Sequence, residues 1–352
     1  MIPRRKSLVV SVGDVKIGGN NPISIQSMIT TKPSNIEESV KKIKELEKAG
    51  CEIIRIAVPT MKDAKALKKI KSAINIPLVA DIHFDYKLAI ESIKSGVDKL
   101  RINPGNIGKK ENVKKIVKLA KSKNIPIRIG VNSGSLEKSL IKKYGKVCPE
   151  AIVESALKHI EILEDLDFRS IIVSLKSSDI LQTIESYKLL AKKCNYPFHI
   201  GITEAGTLFS GTVKSSVGIG SLLLMGLGDT LRVSLTSDPI EEIKVGKEIL
   251  KSLNLRGFGP KIISCPTCGR CNVNLEKIAN KVQNAVMDLK TDITIAIMGC
   301  GVNGPGEAKE ADIGIAGGKK EFIIFKKGQV VKKIDESEVI EYLLKEINKM
   351  RD

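Results

Sequence analysis

With 352 residues and 42% apolar content, the chain can bury a full core and is expected to hold two domains. Its 58 Lys and Arg against 40 Asp and Glu leave a net charge of +18. No apolar run reaches the ~18 residues of a membrane span, the opening MIPRRKSLVV lacks the long apolar stretch of a leader, and 29 glycines show no period; a soluble, cytoplasmic protein is expected.

From residue 22 to 252 short β-branched runs alternate with lysine-rich helical patterns. Strands are expected at 23–28, 52–58, 77–83, 99–105, 126–132, 170–176, 198–203 and 230–235. Helical periodicity falls between them, at 35–49, 62–74, 86–95, 110–123, 150–166, 179–193, 215–225 and 239–252. Eight βα units in that span predict an α/β fold built on a TIM (β/α)8 barrel, not an open doubly wound sheet.

Polar residues stand at the carboxyl-terminal end of nearly every predicted strand: Gln26, Arg55, Asp81 and His83, Arg101 and Asn103 in the first four. Arg128 and Asn132, Ser174 and Lys176, Glu204, and Arg232 and Ser234 continue the series. In a barrel these ends share one rim, where active sites sit. Arg55, Arg101, Arg128, Arg232 and Lys176 would repel one another there unless an anion offset them, so a substrate with several negative charges, most simply phosphates, is expected. NPGNIG (103–108) and GVNSGS (130–135) place glycine and small polar residues before helices, and beside Arg101 and Arg128 they read as parts of a phosphate cradle.

The barrel is assigned to 1–253, and NLRGFGPK (254–261) reads as a linker. Residues 262–352 carry apolar runs and helical patterns near 275–290 and 336–350, which predicts a small α/β domain with two helices on a sheet. The positive charge is mostly lysine at helical spacing with glutamate between, the pattern of solvated faces. With 3% aromatic residues and no tryptophan, stacking platforms for a polynucleotide are few, and neither nucleic acid nor membrane is expected as a partner.

Seven cysteines, an odd number clustered late in the chain, do not suggest a disulfide framework; Cys51, Cys148 and Cys194 read as ordinary small side chains. Cys265, Cys268 and Cys271 form a C-x2-C-x2-C run, and Cys300 follows at a distance. The spacing admits a zinc site or an iron–sulfur site and does not choose between them.

The chain resembles one family closely, the 4-hydroxy-3-methylbut-2-enyl diphosphate synthases of the methylerythritol phosphate route to isoprenoids. The matching segments occur in family order: EIIRIAVP (52–59), ADIHF (80–84), RINPGNIG (101–108), IRIGVNSGSL (127–136), SLKSSD (174–179), GITEAG (201–206), GDTLRVSLT (228–236), ISCPTCGR (263–270) and MGCGVNGPGE (298–307). The resemblance implies the two-domain bacterial form and a [4Fe–4S] cluster held by Cys265, Cys268, Cys300 and the carboxylate of Glu307, with Cys271 left out. It implies reductive ring opening of 2-C-methyl-D-erythritol 2,4-cyclodiphosphate, with two electrons supplied by ferredoxin or flavodoxin and loss of water. By the same resemblance Arg55, Arg101, Arg128 and Lys176 hold the diphosphate, assisted by Asn132 and Ser234, while Asn303 contacts substrate near iron. Glu204 fits a general acid for the departing hydroxyl. Asp81, counted with the substrate-binding residues, and His83 are read as supporting or proton-handling groups. A head-to-tail homodimer is implied, one subunit's cluster domain capping the other's barrel. The competing reading, from another class, is a zinc-containing basic barrel that binds RNA.

Overall fold

The computed structural model describes residues 3–271, 273–286, 289–301, 306, 308–318 and 321–350. Two compact units divide between Arg256 and Gly257, inside the stretch read as a linker.

The first unit opens with a hairpin, β1 (Val10–Val12) and β2 (Val15–Ile17), turned through Gly13 at φ 54°. A two-residue turn needs a positive φ at this first position, which glycine supplies without a Cβ clash. The strands β3 (Ser24–Met28), β4 (Ile53–Ala57), β5 (Leu78–Asp81), β6 (Lys99–Ile102), β7 (Ile127–Asn132) and β8 (Ile171–Lys176) follow, all parallel to their neighbours. β9 (His199–Ile200) and β10 (Thr230–Leu231) complete the set. β10 pairs with both β3 and β9, and a parallel bridge from Val173 to Phe198 joins β8 to the segment leading into β9, so the ladder closes on itself as a barrel. The helices α1 (Ile36–Ala49), α2 (Met61–Lys71), α3 (Tyr86–Lys94), α4 (Lys110–Ser122), α5 (Lys138–Tyr144), α6 (Pro149–Glu164), α7 (Ile180–Ala191), α8 (Leu208–Leu224) and α9 (Pro239–Ser252) link the strands. Each principal helix presents an apolar stripe inward, such as Val113, Ile116, Val117 and Ala120 of α4, and lysines outward.

The hairpin closes the amino-terminal end of the barrel: Val10, Val12 and Ile17 pack on Ile53, Val79 and Ile172. Four features depart from the sequence pattern. The hairpin and α5 were not expected, β9 and β10 are two residues each where six were expected, and α8 begins at Leu208 instead of 215. The early start of α8 brings Gly211 so close to Gly206 that a β-carbon would lie 2.9 Å from its carbonyl oxygen.

The second unit is a five-stranded sheet in order β11 (Lys261–Ser264), β12 (Thr294–Met298), β13 (Ile313–Gly317), β14 (Glu321–Lys326), β15 (Gln329–Asp335). The first three are parallel and the last two form an antiparallel hairpin. Alternation along β12 assigns its faces: Ile295 and Ile297 meet α10 (Leu275–Val286) and α11 (Val339–Lys349), whereas Ala296 and Met298 pack on Ala308, Ala311 and Phe325. Because β11 and β12 run parallel, the chain leaves both at the same end of the sheet, directly into Cys265 and into Gly299–Cys300.

Candidate active site

At the carboxyl-terminal end of the barrel strands lies a cavity of about 250 Å³. Its walls bring together Arg55, Asp81, Arg101, Arg128, Asn132, Lys176 and Ser234 from separate strands and their following loops, as the sequence reading expects. Met28, His83, Ser174, Thr203 and Arg232 complete the lining. Strand alternation is the cause: the inward parity delivers mostly polar side chains, and the outward parity delivers mostly Ile, Leu or Val to the helices.

One carboxylate organises the cations. Asp81 receives a 3.0 Å hydrogen bond from Arg101 Nη1 and lies 3.5 Å from Arg55 Nε. His83 Nε2 is 3.6 Å from the same carboxylate and 3.2 Å from Arg101 Nη1. Burial alone would raise the Asp81 carboxyl; Arg55, the His83 ring, Arg101 and Arg128 outweigh it and hold it far below the usual carboxylate range. Arg55 also donates to Met28 Sδ at 3.0 and 3.2 Å. Arg232 is paired from outside: Glu242 of α9 accepts from its Nη2 at 3.1 Å and its Nε at 3.3 Å. Gly130 of β7 leaves room for Arg101, since a β-carbon there would lie 2.6 Å from the guanidinium Nε.

Five cations therefore line a cavity that holds one carboxylate. Burial first, then neighbouring guanidinium groups, lowers Lys176 and Arg128 well below their ordinary values, and burial brings Arg55 down to about 10 despite Asp81. Arg128 Nε and Nη1 and Arg101 Nε are buried without a partner. Buried charged donors with no acceptor are costly unless a ligand supplies one. A polyanion of diphosphate size does so for several donors at once.

Two further inward groups lie deeper than the lining residues. Lys99 is fully buried with Nζ unpartnered, and His199 is fully buried with both ring nitrogens unpartnered. Lys99 shares the parity of Arg101 and His199 that of Thr203, and Lys99, which the sequence reading did not single out, could have been found by period-two counting.

Glu204 is placed differently from the lining residues. It is exposed on the loop after β9 and is not part of the cavity wall. Its φ of +52° is the left-handed region, which disfavours a glutamate by about 1–3 kcal/mol and persists only where surrounding structure imposes it.

In the second unit the two cysteine loops meet. Gly299 N donates to Cys265 Sγ at 3.2 Å, next to the buried Cys300. Cys268 is exposed, and the backbone N–H of Arg270 lowers its thiol. Cys271 N bonds Cys268 O at 2.9 Å, while its thiol donates to Val273 O at 3.2 Å. Asn303 and Glu307 lie outside the described residues. Among the described residues no three His, Cys, Asp or Glu side chains are gathered closely enough to hold a metal ion. The donor chemistry fits a cluster nonetheless: a cysteine sulfur accepting a backbone N–H, and thiols from two loops leaving one end of the sheet, are the features iron–sulfur ligands need.

A family model described as the GcpE TIM-barrel domain matches residues 7–247, and the GcpE protein C-terminal domain matches 261–349. The chain is 58% identical over 351 residues to the 4-hydroxy-3-methylbut-2-en-1-yl diphosphate synthase (flavodoxin) of Caldanaerobacter subterraneus subsp. tengcongensis, covering 99% of both chains. Proteins of the same description from Fusobacterium nucleatum and Clostridium perfringens are each 57% identical, over 98% and 97% of this chain and 97% and 98% of theirs. Among solved structures, dihydropteroate synthase from Stenotrophomonas maltophilia superposes with a TM-score of 0.51 at 9% identity, over 70% of this chain and 98% of that one. N-acetylneuraminic acid synthetase from Leptospira borgpetersenii gives 0.50 at 13% identity, over 80% and 98%. At those identities the likeness is of fold alone.

Proposed function

We propose a function from one premise: the chain belongs to the GcpE family, whose matched relatives are 4-hydroxy-3-methylbut-2-en-1-yl diphosphate synthases. It opens the ring of 2-C-methyl-D-erythritol 2,4-cyclodiphosphate to give 4-hydroxy-3-methylbut-2-enyl diphosphate, a step toward isoprenoids in which two electrons and two protons enter and one water leaves. This family assignment replaces the RNA-binding alternative. The observation that carries the site assignment is the cavity of five cations around Asp81.

In our reading Arg55, Arg101, Arg128 and Lys176 bind the diphosphate oxygens, with Asn132 and Ser234 donating from the rim, and Arg232 joins them. Asp81 spaces and orients Arg55 and Arg101, with His83 beside it. Substrate oxygens then satisfy the donors that the protein's own groups leave unpaired, in a site too buried for water to screen the attraction. Glu204 delivers a proton to the departing hydroxyl from the loop after β9; its imposed backbone conformation supports that role. Cys265, Cys268, Cys300 and Glu307 hold a [4Fe–4S] cluster, with Asn303 facing substrate. When bound, that cluster supplies the two electrons singly.

Reduced flavodoxin, which the relatives' names carry, is the donor, with ferredoxin as the substitute; both are acidic carriers suited to a chain of net charge +18. No helix among the described residues is long and apolar enough to cross a membrane, and we place the enzyme in the cytoplasm. Because the cavity and the cysteine loops belong to different units, a head-to-tail homodimer would let each barrel work with its partner's cysteine loops.

Anaerobically purified protein should be brown, carry about four irons per chain and turn over the cyclic diphosphate with reduced flavodoxin. Colourless protein with one zinc and no turnover would overturn the reading. Glu204→Gln should keep iron and substrate affinity while losing about 100-fold or more in kcat; near-normal turnover removes Glu204 from the proton-donor role.

A further inference from the structure

The two glycine-containing loops after β6 and β7 are joined by a side chain from neither strand. His159, on α6, is buried, and its Nε2 lies 3.0 Å from Glu137 Oε1. Glu137 closes the loop that begins at the cavity residue Asn132. One helical turn before His159, Ser155 donates to the same carboxylate oxygen at 3.1 Å, so one face of α6 grips the end of the β7 loop. The same edge of the ring bears on the β6 loop. A β-carbon at Gly105 would stand 2.8 Å from His159 Nε2 and 3.4 Å from Cε1. Gly105 in turn donates its N–H to Asn103 Oδ1 at 3.1 Å, which ties the turn back to the end of β6.

We propose that His159 is a positioning residue of the anion site, a clamp that fixes the loops 103–108 and 132–137 against each other through Gly105 and Glu137. The cations on the barrel strands are held in place by the ladder, but these loops are not. The ladder already holds Asn132 at the end of β7, but the backbone N–H groups that follow it and those of the β6 loop reach a diphosphate only if both loops are fixed relative to β6 and β7. The hydrogen bond from His159 holds the Glu137 carboxyl down to about 2, so it stays an ionised acceptor. With Nε2 donating to Glu137, Nδ1 is left buried and unpartnered. That arrangement is costly for stability alone, and it is retained where the ring's position matters.

The inference rests on the rim being the diphosphate site, and the test separates the two. The full-length, anaerobically loaded enzyme is assayed for KM and kcat, and binding of the cyclic diphosphate is titrated calorimetrically without reductant. His159→Leu should raise KM and Kd about tenfold while kcat changes less than about twofold. His159→Gln, whose amide nitrogen reaches where Nε2 stood, should recover affinity to within about threefold of the parent. Gly105→Ala pushes on the ring and should weaken binding in the same direction while the protein still folds, so it carries the test if His159→Leu does not fold. Unchanged KM in both His159→Leu and Gly105→Ala overturns the clamp, as does a parallel fall of kcat and stability without rescue by Gln. Arg101→Met serves as the control for the site: retained binding there overturns the diphosphate reading itself, whereas lost binding leaves only the clamp in question.

Discussion

Lys176 ends β8 buried beside Arg128, Arg55 and Arg232, and burial first, then those neighbours, draw its ammonium well below the ordinary lysine value. An unfolded lysine keeps its proton up to about pH 10.4, and the folded one releases it earlier. Between the two values the unfolded chain binds more protons, so the free protein gains stability as pH rises from neutral toward 10. Lys99 shifts in the same direction from the same leading cause and adds to the gain. A bound diphosphate favours both ammonium forms and should flatten the dependence. We therefore expect the barrel's melting temperature to climb between pH 7.5 and 9.5 in the free protein, and to climb less with diphosphate present. Lys176→Met should be more stable than the parent at pH 7.5 by about 1–2 kcal/mol, with diphosphate affinity reduced about tenfold or more. A parent profile that is flat, or a Lys176→Met protein that is less stable at neutral pH, contradicts this account of the cavity as strained until filled.

Glu242 shows how one helix serves both packing and binding. It is buried on α9, accepts from Arg232 through both oxygens, and takes further bonds from Ser27 Oγ at 3.1 Å and Leu235 N at 3.0 Å. Its carboxylate thus ties α9 to β3 and to the segment after β10 while aiming Arg232 into the cavity. Glu242→Ala would leave a mostly buried guanidinium unopposed and should lower stability by about 3–5 kcal/mol in denaturant unfolding, part of it recovered by added diphosphate. A loss under about 1 kcal/mol would mean that Arg232 finds another partner. Elements of this kind were legible to different degrees. Strands such as Ile53–Ala57 and Ile171–Lys176, buried on both faces, read directly as β-branched runs, and the polar residues interrupting them, Arg55 in one and Ser174 and Lys176 in the other, marked the inward parity. The hairpin at Val10–Ile17 did not, because two three-residue strands carry little periodicity and their packing partners, Ile53, Val79 and Ile172, are remote in sequence. β9 and β10 were read too long for a related reason: the polar run continues the strand pattern, but the ladder ends where Gly201 approaches Arg232, whose carbonyl oxygen would lie 2.4 Å from a β-carbon. The His159–Glu137 contact was beyond reach of spacing, since 22 residues and a change of element separate its members.

The two units close separate cores, one around the barrel with its hairpin plug and one between the five-stranded sheet and α10 and α11, and each is built from residues contiguous in sequence. Separate cores predict separate linkage. A diphosphate bound by the cation-lined cavity should stabilise only the first unit, by about 2.7 kcal/mol at a hundred times its Kd. A cluster held by the cysteine loops should stabilise only the second, because its ligands follow β11 and β12. Calorimetry of the anaerobic protein should accordingly resolve two transitions. Inorganic diphosphate should raise the transition of the barrel by several degrees and leave the other in place, while iron chelation should lower the second and leave the barrel's unchanged. The barrel transition can be identified beforehand, because Lys176→Met should weaken its response to diphosphate and Gly314→Ala, which crowds Phe325 in the second core, should lower only the other. Were chelation to move the barrel transition by as much as its own, the units would be thermodynamically coupled, and electron supply and substrate binding would then influence each other through the protein before any chemistry occurred.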